Sequence, residues 1–382
     1  MYAAGVVSGL SETDPKPDFF GCAGPRLQAA GVKPVIDSSK LAVVGLAEVV
    51  SHLPGIYAEF RKLVRFAEQH RPDAALLTDS PDFNLRLARH LKRLSVPVFY
   101  LVAPQVWAWR QGRVKTMRNL INHVFCLFPF EENWFRERGV PATYIGHPLV
   151  RMVRKSLSRD EFFERHGLPK DNRLAVLLPG SRIGEVRRHL PVLLETAAGL
   201  RRRFAISLLL ATPQGFPTRE AFTNFREPLE AQSIQIVENE TWDCIGHADL
   251  ALAASGTVTI EAAMLGTPMV TFYRVNPLSW WAGRNLVKVP FLSMVNLIAG
   301  RQIVPELMQQ DMTAAKILAA AEPLLTDAER ADRQRSELAA VRAILTPQDD
   351  PFRRCADIIM QTCKARPAMQ SHSGSAVRET IG

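Results

Sequence analysis

Four short stretches combine reactive side chains with the small residues that let a backbone approach a ligand. They are TDSPDFN (78–84), LLPGSR (177–182), AASGTVTIE (253–261) and YIGHPL (144–149). In the first, Asp79 and Asp82 follow an apolar run. A carboxylate at the end of a buried strand can take a proton from a hydroxyl, which makes Asp79 a candidate general base. Asp82 can serve as its neighbour or substitute, or simply cap the following helix. In the second, Gly180 admits close backbone approach, Ser181 can cap, and a helix start offers free N–H groups to a phosphate. Arg182 can add a bidentate contact to that anion. The Lys-Ser/Thr pair of a Walker motif is absent. In the third, Ser255, Gly256 and Thr257 lead into another helix and are again ready for an anion. Glu261, one turn inside, can accept hydrogen bonds from sugar hydroxyls, as acidic residues do for ribose, or close a capping-box-like contact. His147, in the fourth, is either a contact at a domain junction or a catalyst.

The elements that must position these residues read as alternating strands and helices. Apolar runs at 18–24, 73–80, 96–103, 123–129, 174–180, 206–213, 233–239, 248–255 and 267–275 are nearly continuous in Val, Leu, Ile and Phe. Such runs predict strands covered on both faces, as in parallel sheets. Between them lie helical patterns such as FNLRLARHLKRL and VRRHLPVLLETAAGLRRRF. The predicted class is α/β, with two doubly wound, Rossmann-like domains. The polar stretch around Pro148 and Pro169 separates an N-terminal domain, 1–148, from a C-terminal one, 149–345. A helix at about 350–365 is expected to cross back onto domain one, and 366–382 reads as a disordered tail. Ligands of open α/β sheets bind beyond the carboxyl ends of strands. A nucleotide-linked donor is therefore expected on domain two, and an acceptor on domain one beside Asp79, across a cleft.

Composition limits the partners. The 382 residues carry a formal charge of +9, with a pI of about 9.5. Five cysteines show no CxxC or metal spacing, and their odd number without a secretory signal points to a reducing cytoplasm. No apolar run reaches the ~20 residues that span a bilayer. From Phe83 to Phe130 there are eight Arg and Lys and no acid; a second acid-free window runs from Ala262 to Pro305. The windows hold Trp107, Trp109, Arg110, Trp280 and Trp281. Tryptophan beside Lys and Arg fits an anionic bilayer surface; the plainer alternative is core plus ordinary exposed charge. A segment like SWWAGRNLVKVPFL is more apolar than nucleic-acid surfaces, so a nucleic-acid partner is not expected.

Together these blocks resemble the lipid-A-disaccharide synthases, glycosyltransferases of the GT-B type (family 19). The resemblance covers about residues 15 to 365. It rests on FFGCAGPRLQAAG, LAVVGLAEVV, TDSPDFN, SVPVFYLVAPQVWAWRQGRV, FPFEENWF, YIGHPL, LLPGSR, AASGTVTIEAAMLGTPMVTFYR and SMVNLIAGRQIVPEL, of which PQVWAWR is the most specific. It implies an inverting transfer, without metal or other cofactor, from UDP-2,3-diacylglucosamine to 2,3-diacylglucosamine 1-phosphate (lipid X). The products would be the β-1,6-linked disaccharide 1-phosphate and UDP. The place would be the cytoplasmic face of the inner membrane, where Trp107, Trp109, Arg110, Trp280 and Trp281 would seat the enzyme and accept acyl chains. Asp79 would be the base, Arg182 and the helix starts would hold the UDP, Glu261 the ribose, and Asn296 and Arg301 would line the same site. Family members are often dimers, so a second copy is a further expected partner. The alternatives are another GT-B enzyme using UDP-GlcNAc (glycosyltransferase or epimerase), an inactive truncated relative, or a basic surface-binding protein.

One part of the family pattern is missing. Members begin with an apolar strand and a Gly-Glu-Ala-Ser-Gly-Asp loop, whereas MYAAGVVSGLSETD reads as the helix that follows such a loop. A doubly wound domain normally starts with a central strand. A gap in the first sheet is therefore expected.

Overall fold

The computed structural model describes residues 2–38, 46–276, 280–281 and 289–365. The tail at 366–382, and Arg284 and Lys288 of the second basic window, lie outside the described residues. The strands are β1 (Phe20–Ala23), β2 (Lys33–Asp37), β3 (Ala75–Thr78), β4 (Val98–Leu101), β5 (His123–Cys126), β6 (Ala142–Tyr144), β7 (Arg173–Leu178), β8 (Ile206–Thr212), β9 (Gln235–Glu238), β10 (Leu250–Ala254), β11 (Met269–Tyr273) and β12 (Glu306–Met308). All nine apolar runs form strands. Three further strands, β2, β6 and β12, are short and carry too few apolar residues to stand out as runs.

The chain divides into two compact units. Unit one comprises Met1–Pro104, Thr116–Phe125 and Asp349–Gly382; unit two comprises Gln105–Lys115 and Cys126–Gln348. In unit one, β1 pairs in parallel with β2, and β3, β4 and β5 pair in parallel in a separate sheet. Among the described residues no ladder joins β1 to β3. The first helix, Tyr2–Ser11, buries Val6, Val7 and Leu10. It packs on the Pro351–Lys364 helix of the same unit. Gly5 makes that approach close: a Cβ there would lie 2.6 Å from the Phe352 ring.

Unit two holds a six-stranded sheet of order β12-β11-β10-β7-β8-β9, parallel throughout. Its inner strands are sealed on both faces: Leu174 to Leu177 and Leu250 to Ala253 have no exposed surface. That is why they read as continuous apolar runs rather than alternating ones. The Ile183–Arg203 helix covers one face, burying Val186, Leu190, Leu193, Leu194, Ala197 and Leu200 at three- and four-residue spacing. The strand order reverses between β7 and β10, and ligands of doubly wound sheets bind beyond such a switch point. The loops LLPGSR and AASGT leave the carboxyl ends of β7 and β10.

Candidate functional site

Beyond β7 the chain turns through Gly180, whose φ of +128° disfavours any side chain, and enters the Ile183–Arg203 helix. A carboxylate from the helix folds back onto the loop ahead of it. Glu185, 7% exposed, accepts from the backbone N–H of Ser181 at 2.9 Å and of Arg182 at 3.3 Å. It also accepts from Nη1 of Arg182 at 3.3 Å and from the Tyr273 hydroxyl at 2.9 Å. One turn on, His189 is fully buried. Its Nε2 accepts from the Arg274 N–H at 3.1 Å, so its proton sits on Nδ1 and is donated to the Pro179 carbonyl at 2.7 Å. Burial lowers its pKa and keeps it neutral. The loop is therefore fixed from both sides, with Ser181 and Arg182 engaged through their N–H groups and the Arg182 side chain 75% exposed.

Beyond β10, Ser255 and Gly256 lead into the Thr257–Leu265 helix. Ser255 donates its hydroxyl to the Leu292 carbonyl at 2.9 Å, and Thr257 is exposed. Glu261 accepts from the Trp242 indole N–H at 3.0 Å, and burial raises its pKa. Trp242, invisible to sequence reasoning, thus orients this carboxylate.

In unit one, Asp79 and Ser80 both adopt positive φ (54° and 38°) between β3 and the Pro81–Arg93 helix. Non-glycine residues in this region cost on the order of 1–3 kcal/mol each and persist where their surroundings hold them. Here the Asn84 amide donates to the carbonyls of Thr78 (2.8 Å) and Asp79 (2.7 Å), and the Tyr100 hydroxyl donates to Asp79 O at 2.5 Å. The Asp79 side chain is exposed. Asp82 lies in the first turn of the helix, where a negative charge is favourable.

The remaining candidates separate by burial. Trp107 is 5% exposed and donates its indole N–H to Glu131 at 2.8 Å. It is a core group, which corrects its expected place at a bilayer surface. Glu131 also holds the N–H groups of Leu127 and Phe128, both at 3.1 Å, and burial raises its pKa to about 7. Trp109 (43%) and Trp281 (69%) are exposed, and the Arg110 guanidinium lies 4.6 Å from the Trp109 ring centroid. Trp280 is half-buried. Asn296 is not a lining residue: it is fully buried, donating to Val304 O and Glu306 Oε1 and accepting from the N–H groups of Ile303 and Val304. Arg301 is exposed and paired with Glu337. His147 is buried within unit two, with its pKa lowered to about 4 by desolvation and its Nδ1 accepting from the Leu149 N–H. It is a packing and backbone contact there.

The sequence profile of the lipid-A-disaccharide synthetase family matches residues 1–358. A lipid-A-disaccharide synthase from Solibacter usitatus is 54% identical over 342 residues, 90% of this chain and 89% of the relative. One from Myxococcus xanthus is 43% identical over 318 residues, 83% of this chain and 82% of the relative. Among solved structures, a UDP-GlcNAc 2-epimerase from Neisseria meningitidis bound to UDP-GlcNAc matches with TM-score 0.60 at 12% identity, covering 96% of each chain. A glycosyltransferase from Rickettsia africae matches with TM-score 0.58 at 10% identity, covering 96% of this chain and 95% of that one. At these identities the structural likenesses speak for the fold alone, that of GT-B UDP-sugar enzymes.

Proposed function

Because the chain belongs to the lipid-A-disaccharide synthetase family, we propose that it transfers 2,3-diacylglucosamine from its UDP conjugate to the primary hydroxyl of 2,3-diacylglucosamine 1-phosphate. The observation that carries the site reading is the start of the Thr257–Leu265 helix at the switch point of unit two, with Glu261 one turn inside. Exposed N–H groups at a helix start suit a diphosphate. Glu261, oriented by Trp242, suits the ribose hydroxyls.

Asp79 takes the proton of the acceptor hydroxyl as its oxygen attacks the anomeric carbon from the face opposite the UDP. The new β-1,6 bond forms as the bond to the UDP oxygen breaks, and the electron pair leaves with UDP. Donors at the leaving group would stabilise its growing charge; the candidates are the backbone N–H groups at Gly256–Thr257 and the Arg182 guanidinium. Asp82 stands by as the neighbouring carboxylate. The held, positive-φ geometry of Asp79 and Ser80 supports a functional role for this loop, because such strain clusters at reactive sites.

Both substrates carry acyl chains. Among the described residues no helix is long and apolar enough to cross a membrane. Trp109, Arg110, Trp280 and Trp281 would anchor the protein peripherally on an anionic surface at the cytoplasmic face of the inner membrane.

The test is a transfer assay with UDP-2,3-diacylglucosamine and 2,3-diacylglucosamine 1-phosphate, read by mass spectrometry of the lipid product. A parallel arm offers UDP-GlcNAc alone. Tetraacyl disaccharide 1-phosphate and UDP in the first arm are the expected result. Turnover of UDP-GlcNAc with no disaccharide would replace this reading by an epimerase or another GT-B transferase.

A further inference from the structure

We infer that Trp242 is a positioning residue for nucleotide recognition: its indole N–H fixes one oxygen of Glu261 and leaves the other to read a ribose hydroxyl, so that unit two prefers a ribonucleoside diphosphate over its deoxy analogues. This rests on the reading of unit two as the UDP site. Trp242 Nε1 donates to Oε2 of Glu261 at 3.0 Å, across 19 residues of chain. Among the described residues it is the one side chain that hydrogen-bonds this carboxylate. Glu261 is half-buried. Burial raises its pKa, and the hydrogen bond from Trp242 opposes that shift. The second oxygen thus stays an open acceptor of charged strength. A hydroxyl that donates to a carboxylate makes a stronger bond than one that donates to a neutral group.

The donor stands on a fixed base. Trp242 is the second residue of the Thr241–His247 helix, which follows β9, and Glu261 lies in the Thr257–Leu265 helix, which follows β10. Cys244 and Ile245 of the first helix are fully buried. Thr241 donates its hydroxyl to Thr212 O at 3.2 Å. Asp243 accepts from the N–H groups of Ser156 at 2.8 Å and Leu157 at 3.0 Å, and His247 Nε2 donates to Leu157 O at 3.0 Å. Thr267, just past the helix that carries Glu261, donates its hydroxyl to Ile245 O at 2.6 Å and ties the two helices together. An indole has a single donor and no acceptor, so from this base it holds Glu261 in one direction. A lysine or arginine there would orient the carboxylate too, but would cancel the charge to which the ribose donates. A site built to bond a hydroxyl rejects the analogue that lacks it, because its polar group is then left unpaired.

The experiment measures binding of UDP, 2′-deoxy-UDP and 3′-deoxy-UDP to the full chain by calorimetry, with donor KM and kcat alongside. The wild-type chain should prefer UDP about ten- to hundredfold over at least one deoxy analogue. Trp242→Phe keeps an aromatic ring and removes the N–H. UDP should then bind about three- to tenfold more weakly, and the ribose preference should shrink by the same factor, since the deoxy analogue does not use the carboxylate. Donor KM should rise in step while kcat stays within about twofold, because the ribose contact is the same in the ground and transition states. In Glu261→Ala the preference should fall to near one, and adding Trp242→Phe should change UDP affinity by less than about twofold. An equal loss for UDP and both analogues in Trp242→Phe, or an additive loss in the double variant, means that the tryptophan acts through packing and overturns the inference. If Trp242→Phe and Trp242→Met both fail to fold, the tryptophan holds the fold rather than the carboxylate, and the inference is overturned as well. A wild-type chain that binds no UDP removes the reading of unit two and this inference with it. UDP binding without a ribose preference in the wild type, or with an intact preference in Trp242→Phe, refutes the inference alone.

Discussion

Replacing Asn296 by alanine separates a structural residue from a ligand contact. The Asn296 amide is fully buried and makes four hydrogen bonds, to Val304 O at 2.9 Å, Glu306 Oε1 at 2.8 Å, and from the N–H groups of Ile303 at 2.7 Å and Val304 at 2.9 Å. Alanine leaves the buried Val304 N–H without an acceptor, at a cost of about 1–3 kcal/mol, and the half-buried Ile303 N–H at somewhat less. Glu306 keeps the N–H groups of Leu292 and Ser293 but loses its amide donor. The sum is about 3–5 kcal/mol. For a domain of this size each kcal/mol moves the melting temperature by about 2–4 °C, so unit two should melt about 6–20 °C lower. Scanning calorimetry with and without UDP reads this, and steady-state kinetics well below the transition should give a nearly unchanged donor KM. Asn296→Asp should also destabilise, because it sets a second carboxylate beside Glu306, and acid should relieve that loss. A melting temperature within about 2 °C of wild type together with a raised KM would refute the structural assignment. Asn296 would then be the ligand contact that the sequence alone suggests.

Three further outcomes follow from the geometry. Asp79→Asn should lower kcat by about 10²–10⁴-fold with UDP affinity unchanged, and Asp82→Asn should do less; more than a tenth of wild-type kcat in Asp79→Asn would remove it as the base. Glu131 keeps its proton up to about pH 7 when folded but loses it near its ordinary value of 4.5 when unfolded, so it makes stability fall as pH rises between those values, by up to about 3 kcal/mol. His147, held neutral down to about pH 4 against 6.5 when unfolded, makes stability rise with pH from 4 to 6.5 by a similar amount. The two slopes oppose each other, so Glu131→Gln should steepen the acid loss of stability and His147→Gln should flatten or reverse it, both seen in melts from pH 4 to 8. Trp109→Ser with Trp281→Ser should weaken sedimentation with anionic liposomes at least several-fold at unchanged melting temperature; unchanged sedimentation would remove these side chains, 43% and 69% exposed, from the membrane surface.

Local pattern determined much of this protein. Strands sealed on both faces must be apolar along their whole length, so β4, β7, β8, β10 and β11 stood out as runs. The small residues and Arg182 at their ends marked the loops that leave the switch point. The blocks from TDSPDFN to LLPGSR and AASGT carried the family. Short strands such as β2, β6 and β12 escaped because three to five residues with few buried side chains leave no periodic signal. Only the tertiary structure decided which donors were free. Glu185 stands three residues past the helix N-cap, a capping-box spacing that sequence could have flagged. Its partner Tyr273 lies 88 residues away. The burial of Trp107 on Glu131, the orientation of Glu261 by Trp242 and the saturation of Asn296 are likewise contacts between distant segments. Hydrophobic spacing reports which face of an element meets the core. It carries no information on which buried donor meets which acceptor.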